Sequence, residues 1–181
     1  LVYLYMKFPI NIKSFRGLPL NNHPGSFGYV RKHDVHTGID IYVDENEPIY
    51  AIEDGTVINY YQFTGKNIGF DWWLDTWALV VKSDSGYFIY GEIKSDKKIG
   101  DKIKAGNYIG NVIPVLPKEK IRDWIPGHSN CMLHLERYNL DYKLEYGWVA
   151  WEIGQRKPHF LEDPTPYLIG TLNNNLKTLT I

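Results

Sequence analysis

The sequence contains a single cysteine, Cys131, so no internal disulfide can form and a packed core has to hold the fold. Charge of one sign is not in excess either. Twenty Lys and Arg against 21 Asp and Glu leave a formal net charge of -1 at pH 7, and a chain without a basic face is a poor nucleic-acid binder. Long apolar runs are missing. The opening "LVYLYMKFPI" is interrupted by Lys7 and Pro9 well short of the roughly 20 residues that span a bilayer, so no membrane span is expected. The same stretch lacks the basic front and small-residue cleavage site of a secretory signal. Localisation is therefore left open, and a processed N-terminus would be compatible with an extracellular or cell-envelope role. No motif bears on oligomeric state.

Helical periodicity is scarce as well. From Ile39 to Tyr138 no stretch keeps a 3.6-residue apolar repeat for ten residues. Short apolar or alternating runs dominate instead: "IDIYV", "PIYAI", "TVINYYQ", "WALVVKS", "YFIYGEI", "NYIGNVIPV" and "CMLHLERY". They are separated by turn-forming "DENEP", "EDG", "SDSG", "SDKKIGD" and "KAG". Fourteen Tyr, seven Phe and six Trp suit strands and leave aromatic faces for a binding surface. An all-β domain follows, built of two similar halves, because "PIYAIEDGTVI" and "GDKIKAGNYIGNV" each set an apolar strand beside a glycine turn. Residues 1–30, rich in Pro, Gly and Asn, read as an extended wrap around a β-domain at 31–170. "LEDPTPYLIG" reads as a short closing helix or turn, and 171–181 as a tail.

The candidate chemistry starts at "DVHTGIDIYV". In an extended chain alternate side chains share a face, so His36, Gly38 and Asp40 project together. A neutral imidazole beside a carboxylate is what zinc takes from one strand, although a His-x-x-x-Asp is equally at home decorating a turn. In "CMLHLERY", Met132, His134 and Glu136 share a face, and an imidazole within an apolar strand wants a partner: a backbone carbonyl or a metal. Together His36, Asp40 and His134 make two imidazoles and a carboxylate. Three protein ligands with a corner left for water is the pattern of a catalytic zinc; a structural zinc is closed by four.

The segments "HTGIDIYVDENEPIYAIEDGTVI", "GYFIYGEI", "GDKIKAGNYIG", "MLHLE" and "DPTPYL" resemble the lysostaphin-type (LytM-like) zinc metallopeptidases, over about Asp34 to Leu168. The resemblance implies a compact antiparallel β-sandwich/barrel-sandwich hybrid with a narrow groove over one zinc ion, held by His36, Asp40 and His134. It implies hydrolysis of peptide bonds in peptidoglycan or related short peptides through a zinc-activated water. Two histidines that assist the chemistry in the family are replaced here, by Glu92 in "YGEI" and by Met132. Glu92, which shares a strand face with Phe88 and Tyr90, could serve as the base or become a fourth ligand. His128, in the "PGHSNC" loop, is a reserve that could reach back over the metal or simply face solvent. Trp72 and Trp73 in "FDWWLDTW" could wall the groove for substrate or cap the core, and Tyr90 could donate to an oxyanion. The loss of both histidines also admits a different reading, a zinc-bound binding or scaffolding domain without turnover.

Overall fold

The computed structural model describes residues 5–121, 128–147 and 149–178. Nine strands form one antiparallel sheet: β1 (Ile39–Tyr42), β2 (Pro48–Tyr50), β3 (Gly55–Thr64), β4 (Thr76–Lys82), β5 (Tyr87–Lys94), β6 (Lys102–Ile103), β7 (Tyr108–Val112), β8 (Met132–Tyr138) and β9 (Leu161–Glu162). The main path runs β1-β8-β5-β4-β3-β6, with β2 on β7, β7 also on β5, and β9 on β8. Among the described residues the sheet does not close on itself. One helix, α1 (Thr165–Thr178), follows the last strand and takes up most of the segment expected to be a tail.

The central strands are buried on both faces, which is why their sequences are nearly continuously apolar. Leu79 and Val81 of β4, Phe88 and Tyr90 of β5, and Leu133 and Leu135 of β8 enter the larger core with Ile39 and Ile41 of β1. Their alternates Ala78, Val80, Tyr87, Ile89 and Tyr138 enter a second core with Tyr142, Phe160 and Leu161. Residues near the N-terminus complete the first core: Met6, Phe8 and Ile10 pack into it, while Lys7 N–H donates to Ile52 and Pro9 accepts from Tyr50.

Arg137 ties the second face together. It is 1% exposed, and donates from Nη1 to the carbonyls of Tyr87 (3.1 Å) and Tyr138 (2.9 Å) and from Nη2 to Ser85 O (2.6 Å) and Oγ (2.9 Å). Its guanidinium lies 4.8 Å from the Phe88 ring centre and 5.0 Å from that of Tyr167, linking β5 and β8 to α1.

Candidate metal centre

The site grows from the pairing of β1 with β8. Their register sets Asp40 directly opposite His134, and β5 sets Gly91 against His134 on the other side. Asp40, His134 and Gly91 therefore form one row across three strands. Glycine beside the imidazole is required by space: a Cβ at Gly91 would lie 2.9 Å from the Phe63 ring and 3.3 Å from His134 Cβ. The Phe63 ring sits over His134 with centroids 5.1 Å apart.

His36 reaches the cluster by a different route from the one expected. Four residues of straight strand span about 13 Å, too far for two side chains projecting in parallel to meet. Yet His36 Nε2 lies 3.1 Å from Asp40 Oδ1. The chain bends at Gly38 before β1 begins, and the bend folds His36 back over Asp40. The residues before it form a small antiparallel turn, with Val30 bridged to Val35, Gly28 N–H on His36 O and His36 N–H on Tyr29 O. Gly38 has no room for a side chain, because a Cβ there would meet Leu135 O at 2.6 Å and the His134 ring at 2.8 Å.

Three acceptor atoms converge. His36 Nε2 and His134 Nδ1 are 3.2 Å apart, and His134 Nδ1 is 2.8 Å from Asp40 Oδ1. The far nitrogens of both rings are committed elsewhere. His36 Nδ1 donates to the carbonyl of Ser26 at 2.9 Å, and His134 Nε2 donates to Glu136 Oε1 at 3.1 Å. With both rings neutral, each turns a lone pair inward, toward the other and toward a carboxylate oxygen. Three lone pairs in mutual contact need a proton or a cation between them. The spacing suits a cation, since ligands at about 2.0–2.1 Å from a tetrahedral zinc are about 3.3 Å apart.

The surroundings tune this cluster. Burial alone would raise the Asp40 carboxyl, but His36, Arg31 and His134 outweigh it and hold it well below the usual carboxylate range. Burial would lower His134, but its bonds to Asp40 and Glu136 push it up to about 10. His36, buried with only Asp40 to favour its cation, is lowered. Glu136 is kept ionised against burial by His134, Thr37 and Tyr138. Thr37 Oγ1 donates to Glu136 Oε1 at 2.5 Å, and the Tyr138 hydroxyl donates to Oε2. Arg31 Nη2 bonds Asp40 Oδ2 at 2.6 Å, leaving Oδ1 to face the two histidines.

A cavity of about 60 Å³ opens over the cluster, walled by Phe63, Phe70 and Trp73 and floored by His36, His134 and Glu92. Glu92 does not arrive as strand parity predicts. The pairing of β5 with β4 is irregular between Trp77↔Ile93 and Leu79↔Tyr90, so Gly91 and Glu92 together oppose Ala78. Glu92 has a φ of 65° at this bulge. Side-chain alternation is reset there. Tyr90 goes into the core, fully buried with its hydroxyl accepting from Ile52 N–H at 2.9 Å, and Glu92 turns to the cavity. The expectation that Tyr90 faces substrate is thereby overturned. Glu92 Oε2 has no hydrogen-bond partner, and burial followed by the nearby Asp40 pushes the carboxyl up to about 8.

The other expected residues are divided. Trp73 stacks on Phe70 at 5.5 Å and lines the cavity, whereas Trp72 is 64% exposed and is not in its wall. His128 also lies outside the wall, its ring 5.1 Å from that of Tyr42. Met132 is buried with Tyr42 and Val115 in a small apolar cluster. Arg31, Ser26, Thr37 and Phe63 were not anticipated, because they are brought in by the folded segment at 26–37 and by β3, and no spacing in the sequence signals that approach.

Comparison with known proteins agrees with this architecture. The model of Peptidase family M23 matches residues 34–119. Lysostaphin, the antimicrobial peptidase from Staphylococcus simulans, is 18% identical, with 92% of this chain covering 55% of that one at a TM-score of 0.57. A putative peptidase M23 from Pseudomonas aeruginosa is 16% identical over 93% of this chain and 51% of its own, with a TM-score of 0.53. LytU is 20% identical over 84% of this chain and 86% of its own, with a TM-score of 0.50. The chain thus spans about half the length of the first two. No curated protein matches the sequence. Fold and motif together define a lysostaphin-like β-domain. Over residues 34–119, somewhat under half of its length, the chain is similar to peptidase family M23.

Proposed function

We propose that the chain is a zinc-dependent peptidase that hydrolyses peptide bonds in peptidoglycan or related short peptides. His36, Asp40 and His134 hold one zinc ion. The carrying observation is the convergence of three acceptors within 3.2 Å of one another, each imidazole fixed from behind by Ser26 O or Glu136. When bound there, zinc supplies Lewis acidity, lowering the pKa of a water and favouring the ionised form of a neighbouring carboxyl. Glu92 is the base: its unpartnered Oε2 belongs to a cavity-lining side chain on a left-handed backbone that costs about 1 kcal/mol to maintain. Trp73, Phe70 and Phe63 exclude water and offer flat apolar faces to a peptide. The match of residues 34–119 to a peptidase family, and a fold shared with an antimicrobial peptidase, support this substrate class.

The test is digestion of purified cell wall by the zinc-loaded protein. The wild type is expected to release peptides, and Glu92→Gln to do so about 10²- to 10⁴-fold more slowly. One observation favours a second reading, a zinc-holding binding domain: Met132, at the position of an assisting histidine, is a buried thioether that can move no proton. A zinc-loaded wild type that binds wall and releases nothing supports that reading instead.

A further inference from the structure

Hydrolysis of an amide builds negative charge on the carbonyl oxygen, and a site without a donor aimed at that charge forgoes a large part of its catalysis. Neither replaced histidine supplies one. Met132 is apolar and not in the cavity wall, and Glu92 as a base carries the wrong charge. Arg31 does line the cavity, and among the described residues of the wall it is the only Lys or Arg. Its backbone is fixed at the turn before the ligand motif, with its N–H on Asp34 O at 2.8 Å. Its guanidinium is anchored through one nitrogen: Nη2 donates to Asp40 Oδ2 at 2.6 Å and, more weakly, to Pro24 O at 3.4 Å. The described hydrogen bonds leave its Nη1 and Nε donors uncommitted, on a side chain that is 31% exposed. An anchored, partly desolvated cation with spare donors beside a reactive centre is the arrangement that stabilises an oxyanion.

We propose that Arg31 binds the oxyanion of the scissile carbonyl, an assignment that rests on the peptidase reading above. As the water oxygen bonds to the carbonyl carbon, its proton passes to the Glu92 carboxylate and the carbonyl π pair moves onto oxygen, facing the free N–H groups of Arg31. Collapse restores the C=O bond and breaks the C–N bond. The proton held by Glu92 goes to the leaving amine.

The test compares wild type, Arg31→Lys and Arg31→Met, all zinc-loaded. Three quantities are measured: zinc affinity, kcat and KM on a wall-derived peptide, and affinity for a phosphinic peptide whose tetrahedral anion mimics the charge. Arg31→Met is expected to weaken zinc binding by no more than about 10-fold, through its lost bond to Asp40, and to keep KM within about threefold at saturating zinc. It is expected to lose about 10²- to 10³-fold in kcat and a comparable factor in phosphinic-peptide affinity, with Arg31→Lys recovering part of both. Zinc affinity falling in step with kcat would mean that Arg31 only props Asp40 and would overturn the proposal; so would an unchanged kcat. A wild type without turnover rejects the peptidase reading separately. In that case equal phosphinic-peptide affinity in wild type and variant also overturns the role of Arg31, and a selective loss in the variant upholds it. Should Arg31→Met fail to fold, Arg31→Lys decides by the same comparison.

Discussion

Replacing Gly38 by Ala adds one methyl group at the bend that brings His36 over Asp40. The φ of Gly38 is not in the left-handed region, so the backbone would accept any residue and the cost is steric. The new Cβ would sit 2.6 Å from Leu135 O and 2.8 Å from His134 Cε1 and Nε2. Ordinary contact begins near 3.5 Å, so about 0.7–0.9 Å of overlap has to be relieved. Neither neighbour yields freely. Leu135 is held in β8 between β1 and β5, and the His134 ring is held at one nitrogen by Asp40 and at the other by Glu136. Overpacking of this kind costs about 1–3 kcal/mol, equivalent to a fall of roughly 2–12 °C in Tm for a domain of this size. Because the strain falls on the His134 ring, zinc affinity is expected to drop about 10- to 100-fold, as when a partner behind a ligand is lost. Thermal denaturation and competitive zinc titration measure the two effects. Gly100→Ala serves as control: it faces open space at a φ of 98°, so it should cost stability without touching zinc affinity. Wild-type zinc affinity in Gly38→Ala would refute the reasoning.

Glu136→Gln keeps the shape but offers His134 Nε2–H, the Thr37 hydroxyl and the Tyr138 hydroxyl a weaker, partly donating partner. Zinc affinity should fall about 10- to 100-fold by competitive titration, and an unchanged value would count against Glu136 as the group that orients His134. Arg137→Met removes a buried cation bonded to Ser85, Tyr87 and Tyr138, and should cost about 3 kcal/mol in urea denaturation. A loss below about 1 kcal/mol would show the clamp to be dispensable. Burial pushes the Cys131 thiol up to about 11, so it holds its proton at pH 8, where a thiol of ordinary pKa is partly ionised. Alkylation of the folded protein should run at least 100-fold slower than in denaturant, and equal rates would contradict the buried placement.

Strand alternation and turn residues made most of the sheet legible: the seven apolar runs all became strands, and the opposition of Asp40 and His134 rests on two of them, β1 and β8. What alternation could not convey were its own interruptions. The bulge at Gly91 and Glu92 leaves Glu92 facing the cavity and Tyr90 the core, and a lone Gly-Glu pair in a strand does not announce a bulge. The bend at Gly38 likewise replaces the straight strand that had seemed to align His36 with Asp40. The two-residue strands β6 and β9 are too short to carry a pattern. Arg31 was illegible for a different reason. Its approach to Asp40 depends on the turn that pairs Val30 with Val35, a tertiary contact with no periodic signature.

The zinc content of the purified chain tests the central claim most directly. Protein loaded with zinc and dialysed against metal-free buffer should retain one zinc per chain in the wild type and close to none in His134→Ala, with both proteins folded by circular dichroism. A wild type that holds no zinc, or a folded His134→Ala that keeps its full complement, would contradict the account.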